Sequence, residues 1–158
     1  MPILIGIDPG GTTGIAVYNS DTNLWMNQTL GPGDHHQELH DLLGTVKADT
    51  IVYEKFTYQR REVDKGVSLS LVSVEYIGVI KLFGEQTKTH LHGQLPSHGA
   101  CKDNNLWSRK KLVQVGLDST IPHIRDATSH LLYYMTVQLN QRGWLQATSS
   151  AGVEKASE

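Results

Sequence analysis

The stretch from residue 3 to residue 18 constrains this chain most. Ile3-Leu4-Ile5-Gly6-Ile7 is an uninterrupted apolar run that ends abruptly in Asp8. Pro9, Gly10 and Gly11 turn the chain, and a second apolar run leaves from Gly14 and reaches Tyr18. Proline and glycine between two β-branched runs predict a hairpin. The first run is apolar at successive positions, so both of its faces must be covered, as in the centre of a sheet. Asp8 then sits at the carboxyl end of a central strand, where a charge is costly unless something holds it. Taken alone, it reads first as a turn aspartate bonding its own backbone.

The remaining pattern predicts three strands, then alternating helix and strand. Leu24–Leu30 reads as a short, partly polar third strand near an edge, ended by Gly31-Pro32-Gly33. Asp34 is a good N-cap for a helix from His35 to about Val46, with Leu39, Leu42 and Leu43 on one side. Thr50–Glu54 is a fourth strand, and again an apolar run ends in a carboxylate. A long helix is expected from about Val67 to Phe83, then a strand over Thr87–Leu91 and a Gly, Pro, Ser and His loop over 93–104. A short basic helix should follow over Leu106–Val115. Ser119 or Thr120 should cap a last helix with Pro122 in its first turn, running to about Gln141. This order implies an α/β fold, a mixed sheet with helices on both faces. One domain is expected over residues 1–145, with a disordered tail over 146–158.

Composition narrows the class. A chain of 158 residues with 39% hydrophobic and 19% charged residues can bury a core of its own. No apolar run approaches the roughly 18–20 residues needed to span a bilayer, so no membrane partner is expected. No basic leader precedes the first strand, so no signal peptide is expected either. Cys101 is the single cysteine, which excludes an internal disulfide and fits a reducing, cytoplasmic setting. The net charge is −2, yet four of the 14 Lys and Arg lie at Lys55, Arg60, Arg61 and Lys65, and four more at Lys102, Arg109, Lys110 and Lys111. Such clusters read as two local surfaces for an anionic partner or as two solvated loops.

The carboxylates carry the chemistry. If the first and fourth strands are parallel neighbours, Asp8 and Glu54 emerge side by side. The last helix offers His123 and Asp126 three residues apart, with His130 seven residues past His123 on the same face. Such a cluster repels itself unless cations neutralise it, and oxygen-rich ligation suits Mg²⁺ or Mn²⁺. Two such ions about 3.5–4 Å apart would clamp the attacking and leaving oxygens of phosphoryl transfer. For Asp126 alone, a carboxylate favoured by the helix dipole is the simpler reading.

Ile-Gly-Ile-Asp-Pro-Gly at 5–10, Tyr53-Glu54 closing a strand and His123-Ile-Arg-Asp126-Ala127 opening the last helix resemble the RuvC family of Holliday-junction resolvases, most of all its phage-encoded branch. The resemblance covers roughly residues 1–140. It implies a ribonuclease H-like five-stranded sheet, a homodimer, and a crossover junction endodeoxyribonuclease that nicks branched DNA with two divalent ions per site. By position, Asp8, Glu54 and Asp126 would be catalytic, metal-binding carboxylates, and His123 would fill the fourth place. A nitrogen ligand there should tilt preference toward Mn²⁺. Phe56 and Tyr58 are the candidates for the aromatic wedge that family members carry just after the glutamate. Lys55, Arg60, Arg61 and Lys65 would hold phosphates, and Lys102, Arg109, Lys110 and Lys111 would form a second phosphate surface. The segment 93–105 matches the family poorly, with Lys102 the candidate counterpart of its lysine. If phage-encoded, the chain would act in the host cytoplasm.

Three other readings stand beside this one. Asp8-Pro-Gly-Gly-Thr-Thr-Gly also resembles the phosphate loop of actin-like ATPases, but 158 residues leave no room for their second domain, so no nucleotide cofactor is expected. A broader nuclease for flaps, forks or single strands is the nearer alternative, and a noncatalytic DNA-binding scaffold the more distant one. His35, His36 and His40 read as surface residues. His90, His92 and His98 read as structural, and Cys101 has no evident base that would make it a nucleophile.

Overall fold

The computed structural model describes residues 2–57 and 71–140. Five strands, β1 (Ile3–Asp8), β2 (Thr13–Asn19), β3 (Leu24–Leu30), β4 (Thr50–Glu54) and β5 (His90–Gln94), form one sheet in the order β3-β2-β1-β4-β5. β1 pairs antiparallel with β2 and parallel with β4, β2 pairs antiparallel with β3, and β4 pairs parallel with β5. β1 is therefore central, as its two apolar faces require. On one face Ile5, Ile7, Ile51 and Tyr53 pack with Leu39 and Leu43 of α1 (His36–Val46) and with Tyr76, Ile80 and Phe83 of α2 (Val72–Thr87). On the other, Leu4 and Val52 pack with Leu112 of α4 (Arg109–Gln114) and with Leu131 and Leu132 of α5 (Pro122–Tyr133). Each such aliphatic side chain contributes about 1.5–3 kcal/mol by leaving water. Helices thus cover both faces of a mixed sheet. β3 is an edge strand, and its Leu24 and Met26 are exposed.

The element boundaries depart from the sequence pattern where tertiary contacts replace local signals. Asp34 does not cap α1; His35 stands at the cap, and its side chain makes no capping bond to the helix amides. The His35 amide instead donates to the Tyr76 hydroxyl at 3.1 Å, and that hydroxyl donates to the Gly33 carbonyl at 2.9 Å. α2 runs a turn beyond Phe83, and Gly84 lies inside it, where a Cβ would meet the Leu91 side chain. Lys88, in the left-handed conformation at φ 60°, ends that helix. β5 consequently starts at His90 rather than Thr87, and its register sets Thr50 opposite His90 and Glu54 opposite Gln94.

The segment expected as a loop over 93–104 holds a one-turn helix, α3 (Pro96–Gly99), and α4 is shorter than the pattern suggested. Neither Ser119 nor Thr120 caps α5; Ile121 takes that place, the Ser119 hydroxyl accepts the Ile121 amide at 3.2 Å, and Pro122 fills the first turn as expected. A π-helical turn, Tyr134–Gln138, continues α5. Helical structure ends at Gln138, with Leu139 at the cap and Asn140 in the left-handed conformation, rather than at about Gln141. Residues 67–70 of the expected long helix, the domain limit at 145 and the tail over 146–158 lie outside the described residues. Among the described residues, no helix is long and apolar enough to cross a membrane.

Candidate active site

Parallel pairing sets the site's first two carboxylates. Ile7 is opposite Tyr53, so the next residues, Asp8 and Glu54, leave the sheet from neighbouring strands, whose axes lie about 4.8 Å apart. Gln94 closes β5 in register with Glu54 and extends the row. α5 lies across the same end of the sheet. Gly14, the β-partner of Asp8, permits this approach, since a Cβ there would run into the His123 carbonyl. The first turn of α5 is thereby seated beside Asp8.

Each carboxylate has one oxygen held. His123 Nδ1 lies 2.8 Å from Asp8 Oδ2. His130 Nε2 lies 2.8 Å from Glu54 Oε2. The Cys101 amide donates to Asp126 Oδ1 at 2.7 Å. His123 and His130 are seven residues apart, about 10.5 Å along a helix, so they serve different strand ends: His123 the end of β1, His130 the end of β4. As they stand, these side chains are coupled in pairs, and among the described residues no three His, Cys, Asp or Glu are gathered closely enough to hold an ion.

The electrostatics are those of a crowded acidic site. Asp8 is only 7% exposed, and its pKa is raised to about 6. Burial is the main cause, opposed by the His123 hydrogen bond and reinforced by the charges of Glu54 and Asp126. Asp126 is also raised, again chiefly by burial, with the Cys101 amide opposing and Glu54 reinforcing. Groups that resist ionisation in a cleft between strand ends mark a site that gains by binding positive charge.

The basic and aromatic candidates divide. Tyr58, Arg60, Arg61 and Lys65 lie outside the described residues. Lys55, Phe56 and Lys102 border, with Glu54, Pro9 and Pro96, a cavity of about 250 Å³ beside the carboxylates. Phe56 is 37% exposed there. The other basic cluster is partly engaged: Arg109 pairs with Asp118 at 3.3 Å, and Lys111 donates to the Leu106 carbonyl at 2.6 Å. Lys102 and Lys110 form no ion pair among the described residues.

Of the remaining histidines, His90 is exposed on β5 and the other five have side-chain partners. His36 reaches Glu75 at 2.9 Å and His40 reaches Gln86 at 3.1 Å, joining α1 to α2, while His35 bonds Glu38 at 2.8 Å. His92 packs on Tyr134, and His98 stacks on Tyr133. Burial pushes the Cys101 thiol up, and it is the Cys101 amide that touches the site. Sequence reasoning missed this amide and Gln94. Gln94 enters the site only through the register of β5 on β4, which sets it opposite Glu54.

No family model matches the sequence, and no curated protein matches it. Solved structures do share the fold. RuvC of Thermus thermophilus in complex with Holliday junction substrate aligns over 85% of this chain and 93% of its own, with a TM-score of 0.60 and 14% identity. A second structure of Thermus thermophilus RuvC aligns over 87% and 96%, with a TM-score of 0.56 and 12% identity. The Fowlpox virus resolvase, crystallised with Holliday junction DNA, aligns over 87% and 99%, with a TM-score of 0.54 and 14% identity. The chain therefore has the α/β fold of the RuvC and poxvirus resolvases.

Proposed function

We propose that this chain is a metal-dependent endonuclease that resolves four-way DNA junctions by hydrolysing phosphodiester bonds. The observation that carries the reading is the convergence of Asp8, Glu54, Asp126 and His123 at one end of this sheet. The likeness to RuvC and the fowlpox resolvase, each solved with junction DNA, supports it.

The donor types, three carboxylates and an imidazole, suit a hard divalent cation once these side chains turn from their present pairings toward it. Asp8, Glu54 and Asp126 each have one oxygen held by a protein donor and, among the described residues, a second oxygen with no protein partner. Burial and mutual repulsion make Asp8 and Asp126 weaker acids than an ordinary aspartate. Those two carboxylates with Glu54 and the His123 imidazole would hold Mg²⁺ or Mn²⁺, two per site, with the nitrogen favouring Mn²⁺. Bound there, the ions would supply an activated water and charge stabilisation for phosphodiester hydrolysis.

The chain's own residues then do the rest. Lys55 and Lys102 at the cavity rim attract the phosphate backbone, and Phe56 presents a ring on which a base can stack beside the cut. The products carry 5′ phosphates and 3′ hydroxyls. A homodimer would bring two such sites to a two-fold junction. The surface that suits it is α2, where Leu71, Val74 and Leu82 are exposed at helical spacing and Gly78 opens onto free space.

The test compares wild type with Asp8→Asn on labelled four-way junction, flap, single strand and duplex, in Mg²⁺ and in Mn²⁺. Junction cleavage that is faster in Mn²⁺ and absent in the variant supports the reading. Equal cutting of flaps and single strands makes the chain a broader nuclease, and no cutting in either metal makes it a scaffold.

A further inference from the structure

We propose that His130 and Gln94 are positioning residues that hold the Glu54 carboxylate in its working orientation through a buried line, Gln94–His130–Glu54. The inference rests on the metal-dependent reading of the site and adds to it the part of the chain that fixes one of its ligands.

The geometry is specific. His130 is fully buried, one helical turn beyond Asp126 on α5. A buried imidazole is stable only if both ring nitrogens find partners. Here Nε2 lies 2.8 Å from Glu54 Oε2 and Nδ1 lies 2.8 Å from Gln94 Oε1. A carboxylate only accepts, so Nε2 carries a hydrogen toward Glu54. Gln94 is 4% exposed, and its amide nitrogen is buried with no hydrogen-bond partner. A half-turn of the amide places that nitrogen on Nδ1, where it donates to a neutral ring. The orphaned donor is then satisfied, and each contact in the line carries one hydrogen. Glu54 thus sets which ring nitrogen carries the hydrogen, and Gln94 anchors the opposite nitrogen so that the ring stays aimed at Glu54.

Two further features separate this from ordinary core packing. Gly99, at the end of α3, closes over the pair, and a Cβ there would collide with both His130 Nδ1 and Gln94 Oε1. Glu54 has no other side-chain hydrogen bond among the described residues, so His130 is what restrains its rotamer. The line starts in the core and ends on the one carboxylate of the site that no backbone amide or cleft histidine holds. Partners behind a metal-binding side chain are typically worth 10–100-fold in affinity or activity.

The experiment titrates Mn²⁺ alone into the full chain, read by loss of the free-ion paramagnetic resonance signal. Wild type is compared with Glu54→Gln, His130→Leu, His130→Gln and Gln94→Leu, each checked for folding by circular dichroism. His130→Leu should weaken Mn²⁺ binding about 10–100-fold and lower kcat on junction DNA with KM unchanged. His130→Gln, whose amide can still donate to Glu54, should recover most of both, and Gln94→Leu should fall between. A folded His130→Leu that binds Mn²⁺ as wild type does overturns the inference. Should His130→Leu fail to fold, Gln94→Leu decides, and wild-type Mn²⁺ affinity there overturns it equally. Glu54→Gln separates the two levels: if it too binds Mn²⁺ as wild type does, the metal reading of the site falls, and the positioning role falls with it.

Discussion

Replacing Asp8 with asparagine should make the metal-free protein more stable at neutral pH, although it removes a residue essential to the proposed chemistry. In the folded chain Asp8 titrates near 6, against 3.8 for an unrestrained aspartate. Its carboxyl is therefore harder to ionise folded than unfolded. Below its unfolded value of 3.8 it is protonated in both states and costs nothing. As pH rises from there through about 6 the folded chain must come to hold the anion, and stability falls. The gap between 3.8 and about 6, at about 1.36 kcal/mol per pH unit, amounts to roughly 3 kcal/mol. The figure applies to a side chain that is 10% exposed, so solvent screening takes little from it. The Asp8→Asn side chain would still accept from His123 but carry no charge. Urea unfolding in EDTA, followed by tryptophan fluorescence, should find the variant more stable by up to about 3 kcal/mol at about pH 8, with the gap closing toward about pH 4. Mn²⁺ at about a hundred times its dissociation constant should then stabilise wild type alone, by about 2.7 kcal/mol. A variant less stable than wild type at alkaline pH in EDTA, or a gap that ignores pH, would refute the account of a strained acidic site.

Gly14→Ala should cost about 2–3 kcal/mol in the same unfolding assay, because the new Cβ meets the His123 backbone and must push α5 off the sheet. Phe56→Ala should weaken junction binding by about 1–3 kcal/mol in a gel-shift titration at fixed salt, the value of one stacked base, while Phe56→Trp should retain it. Val74→Glu with Leu82→Glu should convert a dimer to a monomer by sedimentation equilibrium; an unchanged mass would remove α2 as the interface.

The parts legible in the sequence were those fixed by burial. Residues 3–7 carry no polar side chain, and a central strand is the one place such a run fits. Once β1 is central and β4 follows a crossover helix, parallel pairing carries Asp8 and Glu54 to the same end. What was not legible depended on contacts distant in sequence. Asp34 looked like a cap, but Tyr76 supplies the bonds that seat the start of α1. The pattern ends the long helix at about Phe83, but Gly84 lies inside α2 and is the small residue that lets Leu91 pack against it. That displaced β5, and with it hid Gln94 from the site. The imidazole of His130 was visible as part of the helix face. Its partner was not, because choosing Glu54 over Asp8 requires knowing how far α5 slides along the sheet.

The most direct test of the central claim maps the cuts on a four-way junction labelled in turn on each strand. The account predicts paired nicks at symmetric positions across the crossover, resealable by ligase and absent with Asp8→Asn. Single, scattered cuts on the arms, or paired cuts that survive in Asp8→Asn, would contradict it.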